Sequence, residues 1–226
     1  MTSNLPRASD LIPSSCQPYI HAAEKLMASL SSMVNLFEPN QVSSSVTAEE
    51  SVQFIKDHGF FYQGDENIGK LVDDMYANGR ARSRDARLDH FKPTLQQDSR
   101  LRRILDHYPM EIPGLRFPWG TTPGVYYNWE RKSGLTVENA LAAYMLGSDS
   151  QWVCRDGSHR LGSDGELEAI GVFGIQNHLL DGYPEREIRM ERGGILLVRT
   201  RLAHTATRGR SIVLGVLTEA GAQRNT

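Results

Sequence analysis

Histidine is the side chain in this sequence best suited to acid–base or metal chemistry, and the 226 residues include seven of them. The turn Gly157-Ser158-His159 places a hydroxyl next to an imidazole, but neighbouring side chains in a turn seldom face each other. Serine hydrolysis is therefore disfavoured. His178 and Asp181 have a spacing that aligns metal ligands on a helix, but Gly182 and Pro184 favour a turn there. We expect His178 to be a polar cap or a surface residue.

The amino-acid composition argues against nucleic acid and anionic membranes as binding partners. Lysine and arginine number 25 against 27 acidic residues, a net charge of -2 with both signs mixed along the chain, which gives no basic field for nucleic acid or for an anionic membrane surface. The longest apolar runs, such as Ile195 to Val198, are far too short to span a membrane, and the polar opening does not resemble a signal peptide. Cys16 and Cys154 can form at most one disulfide, so a cytoplasmic protein is expected.

Helix signals dominate the first half of the chain. Residues 1–15 are expected to form a flexible arm, and residues 16–226 a single domain. Apolar residues from Tyr19 to Phe37 fall on one helical face before Pro39. A capping box, Thr47-Ala48-Glu49-Glu50, predicts a second helix to about Asp57, followed by a turn into a short aromatic strand. Further helices are predicted at Ile68–Asn78 and Ser99–His107.

From Pro113 onward, short apolar runs alternate with Gly, Pro, Asp and Asn, which is typical of a β-sandwich or barrel. Helices followed by strands predict an α+β fold in which the helices support a sheet. The predicted strands are Val125–Trp129, Leu141–Leu146, Gln151–Cys154, Glu187–Met190, Ile195–Val198 and Ile212–Leu217. The aromatic residues around the first of these strands could line an apolar pocket or fill the core.

Two segments give the chain a family resemblance. Gly157-Ser158-His159-Arg160-Leu161-Gly162 and the stretch from Gly193 to His204 resemble phytanoyl-CoA dioxygenase-type enzymes, and the helix leading to His58-Gly59-Phe60 is similar to that family's N-terminal part. The resemblance covers residues 47–218. It implies a double-stranded β-helix, or jelly roll, supported by N-terminal helices.

The resemblance also implies a position for an iron site. Such enzymes hold iron with two histidines and one carboxylate, in a His-x-Asp or His-x-Glu triplet followed much later by a distal histidine. None of the seven histidines begins such a triplet. Where the triplet is expected, the chain has Asn128 and Glu130, and His204 matches the distal ligand. An amide oxygen at position 128 is a poor substitute for imidazole, and Glu130 is better explained as a solvated residue beside Arg131.

The cosubstrate anchor of the family departs from its pattern as well. An arginine about ten residues beyond the distal histidine, with a serine near it, binds 2-oxoglutarate in these enzymes. Here Arg210 and Ser211 come earlier, which moves the charge along the strand. We therefore expect no bound metal, no cofactor and no catalytic residues, with Asn128, Glu130, His204, Arg210 and Ser211 as vestiges of the site.

Two kinds of function follow from these features. The first is a non-catalytic subunit that stabilises an active iron/2-oxoglutarate dioxygenase of the same fold, as in the heterodimeric fungal meroterpenoid dioxygenases that the chain resembles; a homodimer is also open. The second is an active oxygenase using iron and 2-oxoglutarate, or a metal-free cyclase or isomerase, on a small hydrophobic natural product. For the first, the interface is predicted on the helix that contains Leu26, Leu30, Met33 and Phe37, together with the edge of the sheet.

Overall fold

The computed structural model of the protein describes residues 35–82, 88–112, 117–121, 124–129, 140–161, 166–167 and 173–218. The chain divides into two units, Met1–Asn35 and Leu36–Thr226. The predicted arm and most of the predicted first helix lie outside the described residues. At the end of that helix the prediction was wrong, because Phe37 forms an isolated β-bridge with Val42. Its ring packs against Phe54 and Phe60, so it belongs to the core of the second unit.

Four α-helices are described, and side-chain caps begin three of them. They are α1 (Ala48–His58), α2 (Glu66–Ala77), α3 (Leu88–Leu95) and α4 (Ser99–His107). The predicted capping box is present at α1: the backbone N–H of Glu50 donates to Thr47, and the Thr47 N–H donates to Glu50 at 2.9 Å. Asp65 and Asp98 cap α2 and α4 more simply, because each carboxylate accepts from two backbone N–H groups of the first turn. The helix predictions at these three places are confirmed to within about two residues.

Twelve strands are described, all paired antiparallel, in two six-stranded sheets. The first sheet has the order β1-β10-β5-β12-β2, with β3 also paired to β12, and the second has the order β7-β8-β4-β11-β6-β9. The strands are β1 (Phe60–Gly64), β2 (Met110–Ile112), β3 (Phe117–Trp119), β4 (Tyr126–Asn128), β5 (Ala140–Leu146), β6 (Ser150–Arg155), β7 (Glu166–Leu167), β8 (Phe173–Ile175), β9 (Glu185–Met190), β10 (Gly194–Arg199), β11 (His204–Arg208) and β12 (Ser211–Thr218). The α+β class is therefore confirmed.

The core lies between the two sheets and between the first sheet and the helices. All seven residues of β5 are buried, as expected for a central strand covered on both faces. In β6 burial alternates: Trp152 and Cys154 are buried, whereas Val153 and Arg155 are only partly so. The second sheet thus has an inner face toward the first sheet and a more exposed outer face.

Close backbone approach positions α2 on the first sheet. A Cβ atom on Gly69 would lie 2.0 Å from the carbonyl oxygen of Arg192, in the turn between β9 and β10. Only glycine allows this contact. Within the described residues, no helix is long and apolar enough to cross a membrane.

Candidate functional site

His204 is the residue around which the candidate site is built. It is the first residue of β11, and it lies opposite Tyr127 of β4 on one side and Cys154 of β6 on the other. Its side chain points into the space between the sheets, where it meets Tyr144 of β5 in the first sheet. None of its surface is exposed to solvent.

Both ring nitrogens of His204 are hydrogen-bonded within the protein. Nε2 lies 2.6 Å from the Tyr144 hydroxyl, and Nδ1 lies 2.8 Å from the backbone carbonyl of Leu202. Trp129 Nε1 donates to the same hydroxyl at 2.6 Å. Because a carbonyl only accepts, Nδ1–H donates to Leu202, and because burial favours the neutral ring, Nε2 carries the lone pair and accepts from the Tyr144 hydroxyl. The imidazole is neutral, and its one lone pair is in use.

Aromatic rings enclose this hydrogen-bonded chain. The Trp152 ring lies nearly parallel to the His204 ring, 5.9 Å between centroids at 17°, and the Tyr144 ring meets it edge-on at 5.3 Å. Burial lowers the pKa of His204 to about 4, against the opposing effect of its bond to the Leu202 carbonyl. Burial also raises the pKa of Tyr144 well above its usual value, although the bond from Trp129 opposes this. Both groups therefore remain neutral.

Asn128, the candidate for the first ligand, does not share this space. On β4, Tyr127 packs against the main core together with Trp129, whereas Tyr126 belongs to a separate small cluster with Leu180 on the outer face. Because side chains alternate along a strand, Asn128 lies on the same face as Tyr126. The structure therefore does not bring the Asn128 amide to His204. Glu130 lies outside the described residues.

Arg210 and Ser211, the candidate cosubstrate anchor, also lie away from His204. The Arg210 guanidinium is exposed and stacks over the ring of Tyr76 on α2, at 5.5 Å. Its backbone carbonyl accepts hydrogen bonds from Gly147 and Ser150. Ser211 is buried and its carbonyl accepts from the Tyr76 hydroxyl at 2.8 Å. Arg210 thus faces the helices that cover the outer side of the first sheet, whereas His204 lies on the inner side.

The Gly157-Ser158-His159 turn has a structural role, because its side chains hydrogen-bond to two separate backbone segments. The Ser158 hydroxyl accepts from the backbone N–H of Ala203 at 3.0 Å, and His159 Nε2 donates to the Lys56 carbonyl at 2.9 Å. The hydroxyl and the imidazole therefore serve different backbone partners. Burial, with the nearby positive charge of Arg199, lowers the pKa of His159 to about 4. The turn fixes the end of α1 against the segment that leads into β11.

A second histidine cluster could not be recognised in the sequence. His58 Nδ1 lies 2.8 Å from one oxygen of Asp156, and Arg186 Nε donates to the other oxygen at 3.1 Å. Burial acts to raise the pKa of Asp156, but the hydrogen bonds and charges of His58 and Arg186 outweigh it and lower the pKa. The three residues come from α1, β9 and the end of β6, and no motif links such distant positions. Arg186 also stacks on Phe37. The main role of the cluster is therefore structural: it holds α1, β9, the end of β6 and the segment around Phe37 together.

A surface cleft of about 550 Å³ lies elsewhere, lined by Pro39, Asn40, Gly64–Glu66 and Arg189–Gly193. The cleft is at the end of β9. His204 is level with the beginning of β9, because it is paired with Cys154, which in turn lies opposite Arg186. At the usual rise of a strand the two places are about 10 Å or more apart. The cleft therefore does not open onto His204.

The described residues do not fit an iron centre. Iron held by a facial triad needs a free lone pair on the distal histidine and open positions for cosubstrate and oxygen. Here Tyr144 uses that lone pair, Asn128 lies on the other face of its strand and Arg210 is on the helix side. Among the described residues, no group of three His, Cys, Asp or Glu side chains could hold a metal ion.

Comparison with known proteins identifies the fold. No family model matches the sequence, and no curated protein matches it. Among solved structures, AviO1 from Streptomyces viridochromogenes Tue57 superposes with a TM-score of 0.50 at 11% identity, covering 81% of this chain and all of AviO1. EctD from S. alaskensis with 2-oxoglutarate and 5-hydroxyectoine gives 0.48 at 13% identity, covering 85% of this chain and 83% of EctD.

A third solved structure, the epimerase SnoN in complex with Fe³⁺, alpha ketoglutarate and nogalamycin RO, gives a TM-score of 0.46 at 12% identity. That match covers 79% of this chain and 86% of SnoN. At these identities, the likeness to AviO1 shows a shared fold and nothing about chemistry.

Proposed function

We propose that this protein is a catalytically degenerate member of the iron/2-oxoglutarate dioxygenase fold and acts as a non-catalytic partner of an active relative. In the proposal the two sheets are the halves of a double-stranded β-helix. The strand order supports this, because β3, β5, β10 and β12 lie in one sheet and β4, β6, β9 and β11 in the other. That arrangement interleaves two antiparallel sheets as a jelly roll does.

The observation that carries the proposal is the hydrogen-bonded chain from Trp129 through Tyr144 to His204. Catalysis by this fold needs a histidine lone pair for iron, but here the lone pair accepts a proton donor in a fully buried aromatic cluster. Opening the cluster would break the buried hydrogen bonds of Tyr144 to Trp129 and to His204, which is costly. The arrangement is that of a packed core, and it favours a structural role for His204.

A binding role explains why such a chain would retain its fold. Among the residues whose side-chain burial the structure describes, Val125 is the one large apolar side chain that is exposed, at 40%. The side chains whose burial is described therefore form no extended apolar patch. The proposed interface remains on the predicted helix that contains Leu26, Leu30 and Met33, now without Phe37, whose ring packs in the core. The proposal places the pair in fungal natural-product biosynthesis, with the active relative supplying the catalytic site.

The direct test is turnover by the chain alone. The purified protein, reconstituted anaerobically with Fe²⁺ and then given 2-oxoglutarate and oxygen, is expected to form no succinate above a no-protein control. The variant Asn128→His is expected to remain inactive, because residue 128 lies on the outer face of β4. Succinate formation coupled to oxygen use by the unmodified chain would refute the proposal.

Association is tested separately. The chain is co-expressed with an active dioxygenase of the same fold from the same source, and complex formation is followed by size-exclusion chromatography. Replacing Leu30 and Met33 with Glu is expected to abolish co-elution while circular dichroism stays unchanged. Exposed Lys92→Glu in the second unit serves as the charge-change control and is expected to leave the complex intact. A folded double variant that still co-elutes excludes this helix as the interface.

A further inference from the structure

Tyr144 occupies the position at which a metal would bond His204. Its hydroxyl lies 2.6 Å from Nε2, whereas a metal–imidazole bond is about 2.0–2.1 Å long. The oxygen and a metal ion cannot share one lone pair at these distances. Trp129 Nε1–H donates to the same oxygen at 2.6 Å, so two side chains hold the hydroxyl in place.

We infer that Tyr144, and not the residue at position 128, prevents a metal ion from binding the distal histidine, His204. We infer also that Tyr127 is the residue of β4 whose side chain faces inward beside His204. This deepens the proposed function, and it rests on that proposal for the correspondence between His204 and a distal iron ligand. Two independent features support it: the hydrogen bonds of Tyr144, and the strand pairing that places Tyr127 directly opposite His204.

The pairing of β4 with β11 determines which residue could join His204. Directly opposite residues of antiparallel strands have Cβ atoms about 4.5–5.5 Å apart on the same face. Two imidazoles at that separation can bind one metal ion. A histidine at position 127 meets this condition, whereas one at position 128 projects from the other face of β4. The sequence pattern of the family points to position 128, so the two alternatives predict different variants.

Removing the phenol ring of Tyr144 creates the space that a metal ion needs. With Tyr144→Ala, a cavity replaces the ring between Trp129 and Trp152, and the Nε2 lone pair loses its donor. The cavity is bounded by His204 on the second sheet. A cation entering it reaches one imidazole in the single variant and two when Tyr127→His is added.

The test compares Co²⁺ binding to two matched double variants. Tyr144→Ala with Tyr127→His is expected to bind Co²⁺ about tenfold or more tightly than Tyr144→Ala with Asn128→His, in line with the 10–100-fold effects of residues that support a metal site. Titration calorimetry gives the affinity, and the visible absorption of Co²⁺ reports imidazole coordination. Tyr127→His with Tyr144 intact is expected to bind no better than the unmodified protein. Equal affinity of the two double variants, or tight binding with Tyr144 intact, overturns the inference.

A measurement on the unmodified protein decides the question if the double variants do not fold. Nitrogen-15 NMR of the histidine rings is expected to show His204 as the Nδ1–H tautomer with Nε2 accepting a hydrogen bond. Added Co²⁺ is expected to leave these resonances unbroadened. Selective broadening of the His204 signals overturns the inference. Neither readout depends on succinate formation or on complex formation, so its failure is distinct from failure of the proposed function.

Discussion

Removing one oxygen atom from Tyr144 tests whether the buried hydrogen-bonded chain stabilises the fold. Tyr144→Phe leaves the ring in place but removes the hydrogen bonds of the hydroxyl to Trp129 Nε1–H and to His204 Nε2, in a site from which water is excluded. Loss of its hydrogen bond costs a buried polar group about 1–3 kcal/mol, so for two groups we expect a loss of roughly 2–6 kcal/mol in the free energy of unfolding. Tyr62→Phe is the matched control, because it removes a single bond to the Glu38 carbonyl and should cost about 1 kcal/mol.

Urea unfolding followed by circular dichroism measures both variants, and an unchanged slope with denaturant shows that stability alone has changed. A double-mutant cycle with Trp129→Phe then isolates the shared hydroxyl, and we expect a coupling of about 0.5–3 kcal/mol. If Tyr144→Phe costs no more than Tyr62→Phe, or if the cycle shows no coupling, the chain does not hold the core as described.

Three further outcomes are expected. The pKa of His204 is about 4 in the fold against an ordinary 6.5, so its contribution to stability is complete above about pH 6.5 and is lost as pH falls toward 4. On the order of 2 kcal/mol should be lost by pH 5, in urea titrations at several pH values, with a flatter profile for His204→Gln. Arg100→Met removes a buried guanidinium that is bonded to two backbone carbonyls and a carboxylate, and should lower the free energy of unfolding by about 3–5 kcal/mol. In the same urea assay, the control Arg189→Met, at an exposed position, should cost about 0.5 kcal/mol. Gly69→Ala should lower the melting temperature sharply because its Cβ meets the β9–β10 turn, whereas Gly182→Ala, with open space around it, should not.

Local signals were enough to predict the helices that begin with a cap. The side chains at Thr47 and Glu50 satisfy backbone groups within one turn, so the start of α1 depends on residues that are adjacent in sequence. The helix α3 was missed because Pro93 lies inside it and the preceding stretch is rich in arginine. The short strands β2, β3, β7 and β8 were missed because two or three residues carry no measurable periodicity.

Which face of β4 points inward could not be predicted from the sequence, and the interpretation of the whole site depends on it. Tyr126-Tyr127-Asn128-Trp129 is aromatic on both faces, so alternation does not indicate which face is buried. A shift of one residue moves every side chain to the opposite face. Only the pairing of Tyr127 with His204 resolves it, and that pairing joins positions far apart in the chain. The place of Tyr144 was equally hidden, because β5 is a continuous apolar run without a period of two.

A histidine buried between two sheets requires a partner for each ring nitrogen, whatever the protein does. In a metal enzyme the ion is the partner of one nitrogen; without it, an unpaired Nε2 in this dry core would cost about 1–3 kcal/mol, a large part of the stability of a marginally stable domain. Tyr144 supplies a neutral donor, and Trp129 in turn satisfies the tyrosine oxygen. In the proposed function, the loss of iron chemistry and the retention of the fold are therefore linked through the same atoms. Because these donors are part of the packing, the proposal predicts that changing residue 128 alone creates no metal site, since Tyr144 lies on the opposite sheet.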